Sequence, residues 1–197
     1  MDGLHRLAFT ISRVGTWVGG ALLLLTAVIV AIDVVMRALF ARSVGGADEL
    51  SGYALAIATA WGLSFALLER SHIRIDSLYE KVSLRMRAIL DLVSLVAFFL
   101  FMGLTTWYGW LVLSQSITSN ARSISAISTP LALPQAVWFA GLVFLLLVTG
   151  LLFVEGAMAL VRGDLAKVAR LIGSKAVIEE VDAEKSSLAR NHPESAL

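Results

Sequence analysis

Four long apolar blocks, set apart by short polar segments, organise the chain. Residues 14–32, 50–68, 92–121 and 123–154 contain no Asp, Glu, Lys, Arg or His. About 20 helical residues cross a bilayer core of roughly 30 Å, so each block is long enough to span. The third and fourth blocks meet at Arg122, inside a polar stretch that includes Ser114, Gln115, Ser119, Asn120 and Ser125, and Pro130 and Pro134 follow. Proline is tolerated in the first turn of a helix and breaks its interior. The pattern therefore predicts helices over about 12–37, 48–69, 88–113 and 134–160. The last two exceed the minimum span, which predicts tilt or protrusion. A membrane barrel is excluded. Its strands would alternate apolar and polar over about ten residues, whereas residues 22–25 and 142–148 are solid apolar runs.

Composition sharpens this picture. The chain has 197 residues, 58% hydrophobic and 16% charged, with a mean hydropathy of +0.82. Soluble domains are about 45–50% apolar and about 25% charged, so a soluble enzyme is excluded. The net charge of +1 argues against a nucleic-acid partner, which needs clustered excess Lys and Arg. With no cysteine, there are no disulfides, thiolate zinc sites or iron–sulfur clusters. His5, Arg6 and Arg13 before the first block could suggest a secretion signal. A signal core is only about 7–15 residues long and ends at small residues, whereas this block runs on to Asp33 and Arg37. We read it as a retained first span.

Orientation follows from the basic residues. Arg6 and Arg13, then Arg70, Arg74, Lys81, Arg85 and Arg87, then Arg162, Lys167, Arg170 and Lys175 fall on one side. Only Arg37, Arg42 and Arg122 fall on the other. Positive residues stay cytoplasmic, which predicts both termini inside. Trp107, Tyr108, Trp110 and Trp138 then lie near the outer interface, where an aromatic belt belongs. The expected fold is an all-α integral membrane protein of four transmembrane helices over residues 1–163. A cytoplasmic tail over 164–197 follows, amphipathic at first and then flexible.

Within the helices, Gly15 and Gly19 have the spacing that lets two backbones approach closely. Gly52, Ala56, Thr59 and Ala60 share one face of the second helix. Small residues serve either a partner chain or packing within the same bundle, and both readings fit. Ion-coupled transport calls for a titratable group at membrane depth, and the four apolar blocks contain none. Asp33 and Arg37 stand four residues apart, acid first, the favourable order for a pair. They fit an interfacial anchor better than a proton relay.

The loops carry more polar chemistry. Gly45 and Gly46 permit a sharp turn, Asp48 is placed to cap the second helix, and Glu49 suits its positive first turn. Arg37 and Glu49 flank this turn and are candidates to pair. In the next loop, His72, Arg74 and Asp76 alternate with Ile73 and Ile75. Extended, this puts the polar three on one side, as a contact strip or as a solvated loop. One His and one Asp are too few ligands for a metal. In the tail, Leu165, Val168, Leu171 and Ile172 line one face of an amphipathic segment suited to the anionic inner leaflet. No catalytic triad is supportable.

Taken together, several stretches resemble a known family. They are Asp33-Val34-Val35-Met36-Arg37-Ala38-Leu39-Phe40, then Ala47-Asp48-Glu49-Leu50, then a small-residue helix ending in Glu69-Arg70-Ser71-His72-Ile73-Arg74-Ile75-Asp76. In order and spacing they resemble the small membrane subunit, DctQ-type, of tripartite ATP-independent periplasmic (TRAP) transporters. The Leu133-Pro134-Gln135-Ala136-Val137-Trp138 entry to the fourth helix extends the similarity over most of the chain. The resemblance implies a multi-pass bacterial inner-membrane protein, without catalysis, in a sodium-driven importer of carboxylate solutes. It implies two partners besides membrane lipid: a large multi-span permease subunit that holds substrate and sodium and moves as an elevator, and a periplasmic substrate-binding protein. No cofactor, metal or substrate site is expected in this chain. Arg37, Glu49, His72, Arg74 and Asp76 carry over as structural or interface residues, and Gly15, Gly19, Gly52 and Ala56 as contact points. Two rivals exist. A haem- or quinone-linked membrane anchor would need membrane-depth histidines, and His5, His72 and His192 all lie outside the apolar blocks. A small autonomous exporter would need an intramembrane acid facing a cavity.

Overall fold

The structure, a computed structural model, describes residues 2–69 and 83–172. It has five helices among them: α1 (Asp2–Phe40), α2 (Ala47–Leu68), α3 (Leu84–Thr118), α4 (Ala132–Val161) and α5 (Leu165–Ile172). The first four are long and apolar enough to cross a membrane, as the block pattern predicts, and the chain is a multi-pass membrane protein. The described residues hold no strand, only an isolated bridge between Arg122 and Pro130.

Two helices are clearly longer than expected: α3 covers Leu84–Thr118 where the pattern predicts 88–113, and α1 differs more. With 22 residues, α2 rises about 33 Å and matches a bilayer core. With 39 residues, α1 rises about 58 Å. It begins at Asp2 rather than near residue 12, because a charge such as Arg13 ends an apolar block without ending a helix. Left-handed residues do the stopping. Ala41 (φ 51°) ends α1, Asn120 (φ 48°) ends α3 and Gly163 (φ 73°) ends α4. Each redirects backbone N–H groups onto the last carbonyls: Ala121 N bonds Ser116 O at 3.0 Å, and Asp164 N bonds Ala159 O at 3.0 Å. The left-handed form costs a non-glycine residue about 1–2 kcal/mol.

The chain divides into two compact units, one of Met1–Leu68 with Phe101–Val148 and one of Glu69–Leu100 with Thr149–Leu197. The first unit is organised around Trp61 of α2. Its ring lies against Gly15 of α1 and Gly141 of α4; a Cβ added at these glycines would come within 2.6 Å and 2.9 Å of it. The indole N–H donates to Val137 O at 3.1 Å, and the ring stacks on Phe144 with centroids 5.7 Å apart. Gly19 closes on the backbone of Ala58. In lipid there is little hydrophobic drive between helices, so close packing and hydrogen bonds must hold them. A large aromatic seated between two glycines supplies both.

In the second unit, Val168 of α5 is fully buried against Ala88 of α3 and Ala159 of α4. Ile172 abuts Gly156. The Asp164 carboxylate caps α5, accepting from Lys167 N at 2.9 Å. The amphipathic helix forms as expected, and Val168 and Ile172 of its apolar face pack on protein.

Candidate functional site

Two loops of the first unit, residues 41–46 and 119–131, are held by two carboxylates. Asp33, in the last turns of α1, is fully buried while the Arg37 side chain is 53% exposed. Asp33 Oδ2 accepts from Arg37 Nε at 2.7 Å and also from its Nη2. Oδ1 accepts from Ser43 Oγ at 2.8 Å and from Val44 N at 2.6 Å. An isolated buried carboxylate is costly. Here the cation one turn on and two loop donors satisfy it, and the loop backbone is fixed in return. Ser43 Oγ then accepts from Gly45 N at 3.1 Å.

Gly45 (φ 75°) and Gly46 (φ 78°) carry the turn in the left-handed region. They do a second job. A side chain at either would meet the other loop, Ala126 beside Gly45 and Ile127 beside Gly46. Leu50 N bonds Gly46 O at 3.0 Å and starts α2. Asp48 and Glu49 both fall in its first turn, so Asp48 lies within the helix and does not cap it, contrary to expectation.

Glu49 is the second clamp. Tyr53 Oη donates to its Oε1 at 2.6 Å, and Ser123 Oγ to its Oε2 at 2.6 Å. The second loop is itself stiffened: Ser123 N bonds Thr129 O at 2.9 Å, and Leu131 N bonds Ala121 O at 3.0 Å. The Arg122 guanidinium donates to Ser128 O at 3.3 Å. A cavity of about 530 Å³ remains between the loops, lined by Gly46, Asp48, Glu49, Arg122 and Ser123 among others.

The sequence candidates separate into groups. Arg37 and Glu49 do not pair with each other: Arg37 engages Asp33, and Glu49 engages Tyr53 and Ser123. A salt bridge closes within one helix turn, while a carboxylate facing a serine-rich loop finds hydroxyls first. Gly15 and Gly19 are consumed by packing within the chain. Gly52 and Gly62 of α2 meet nothing within 4 Å, and Gly52 and Thr59 are exposed. Ala56 is half-buried, but Ala60, assigned by periodicity to the same face, is buried beside Gly141. His72, Arg74 and Asp76 lie outside the described residues. Trp107, Tyr108 and Trp110 are exposed, whereas Trp138 packs on Gly109.

The apolar blocks hold no charged residue, but buried charges stand beyond their ends. Asp33, Arg87, Asp91 and Glu155 are all at most 6% exposed. Asp91 and Glu155 fall just outside the uncharged blocks, in helical turns that the block limits cut away. All four sit within the end turns of their helices. Among the described residues, no three His, Cys, Asp or Glu are grouped to hold a metal. His5 lies in the first turns of α1.

Residues 26–161 match the family model for tripartite ATP-independent periplasmic transporters, DctQ component. The match covers most of the chain, which belongs to that family, the small permease component of these transporters. No curated protein and no solved structure matches the chain.

Proposed function

We propose that this DctQ component is the static brace of a sodium-driven importer of carboxylate solutes in a bacterial inner membrane, with both termini in the cytoplasm. Catalysis has no part in its role. A large permease subunit carries the solute and the sodium, and a periplasmic binding protein delivers the solute. Substrate and ions bind those partners and not this chain.

The observation that carries this reading is how the first unit uses its polar groups. Asp33 and Glu49 are each engaged by donors from this chain, which hold two loops still. A coupling carboxylate must exchange partners during a transport cycle, whereas a brace needs its own kept. The rigid loops 41–46 and 119–131, with Ile124 wholly exposed at the second, suit a fixed platform for the periplasmic protein. The face of α2 bearing Gly52, Thr59 and Gly62 suits the large subunit, since small residues let a partner helix approach closely. Gly15 and Gly19, already used internally, leave that role.

Gly52→Leu and Gly62→Leu should cut co-purification of the large subunit by about ten-fold, equivalent to about 1.4 kcal/mol, with the chain's own helicity unchanged. Full recovery of the partner with both variants would remove α2 from the interface. Sodium-driven solute uptake by this chain alone in liposomes would overturn the brace.

A further inference from the structure

An apolar groove of about 780 Å³ runs along α1 and is closed on one side by Phe65 of α2. Phe65 is braced from behind by Phe9, with ring centroids 5.6 Å apart. Arg13 stands at the end of the groove nearer the helix start, followed along α1 by Trp17, Gly20, Leu23 and Leu24. Arg13 and Trp17 are exposed, and nothing lies within 4 Å of a Cβ placed on Gly20. The absent side chain is what opens the middle of the groove.

The order of chemistry along the groove is cation, amphipathic aromatic, gap, aliphatic wall. From Arg13 to Leu24 is about 16 Å of helix, about the depth of one leaflet of a roughly 30 Å core. We propose that the groove binds one anionic phospholipid from the leaflet on the N-terminal side of α1. Its phosphate pairs with the Arg13 guanidinium, a geometry suited to bidentate contact. Its ester region lies beside Trp17, which favours the interface. One acyl chain fills the gap over Gly20 against Leu23 and Leu24, while Phe65, packed on Phe9, flanks the Arg13 end. This site is independent of the partner reading above, since every residue in it belongs to this chain.

The test is native mass spectrometry of the full-length chain after delipidation and exposure to phosphatidylglycerol or phosphatidylcholine. The wild type should retain one phosphatidylglycerol, with about five-fold preference over phosphatidylcholine. Arg13→Gln should abolish that preference, and Arg13→Lys should restore most of it. Gly20→Trp should fill the groove and lower retention of both lipids, with circular dichroism unchanged. Equal retention of the two lipids by the wild type would overturn the proposal, as would unaltered retention by Arg13→Gln or Gly20→Trp. A further overturning result would be that both variants lose the large subunit on co-purification while lipid retention is untouched. The groove would then be a protein interface.

Discussion

The loop 41–46 and helix α5 are both surface segments held against longer helices, by opposite chemistry. The loop has no internal hydrogen-bond ladder, so its N–H groups need partners. The buried Asp33 supplies one to Val44 N and orders Ser43. Helix α5 satisfies its own backbone. It needs only a cap, from Asp164, and an apolar face, from Val168 and Ile172. Irregular backbone calls in charge, and regular backbone makes do with shape. The two regions should therefore fail differently.

The largest effect is expected at the carboxylate. Asp33→Leu strands the donors of Ser43 and Val44 together with the Arg37 charge. The unfolding midpoint in detergent should fall by about 5–10 °C, and protease should cut near residue 43. An unchanged midpoint would mean that the loop does not depend on Asp33. Val168→Asp should come next. It places a charge in an apolar contact and should release α5 alone, raising amide exchange in 165–172 about 100-fold while loop 41–46 stays protected. If exchange rises in the loop as well, the two regions are not separable. The smallest effect should come from Asp164→Ala. Losing the cap costs about 1 kcal/mol, visible as faster exchange in the first turn of α5 and nowhere else.

Much of the fold was legible in the residue pattern. The apolar blocks located all four spanning helices, since an uncharged run of that length has few other uses. Helix ends were less legible. Ala41 and Asn120 terminate helices in the left-handed region, and no residue preference marks alanine for that role. The site was legible by residue and only in part by pairing. The Asp33–Arg37 pair could be read from its spacing, but Glu49 stands out in the sequence while its partners do not. Ser123 is distant in sequence and lies in a serine-rich stretch whose members look alike.

The sequence by itself determined that this chain crosses a membrane four times and carries the DctQ pattern, because hydrophobic length and short-range order are properties of the string. Tertiary structure alone decided which small residues are used inside. Gly15 and Gly141 face Trp61, while Gly52 and Gly62 face open space. Periodicity gives a helix its faces, but only the neighbouring helix decides which face is covered. In lipid, where every face is apolar alike, close fit makes that choice.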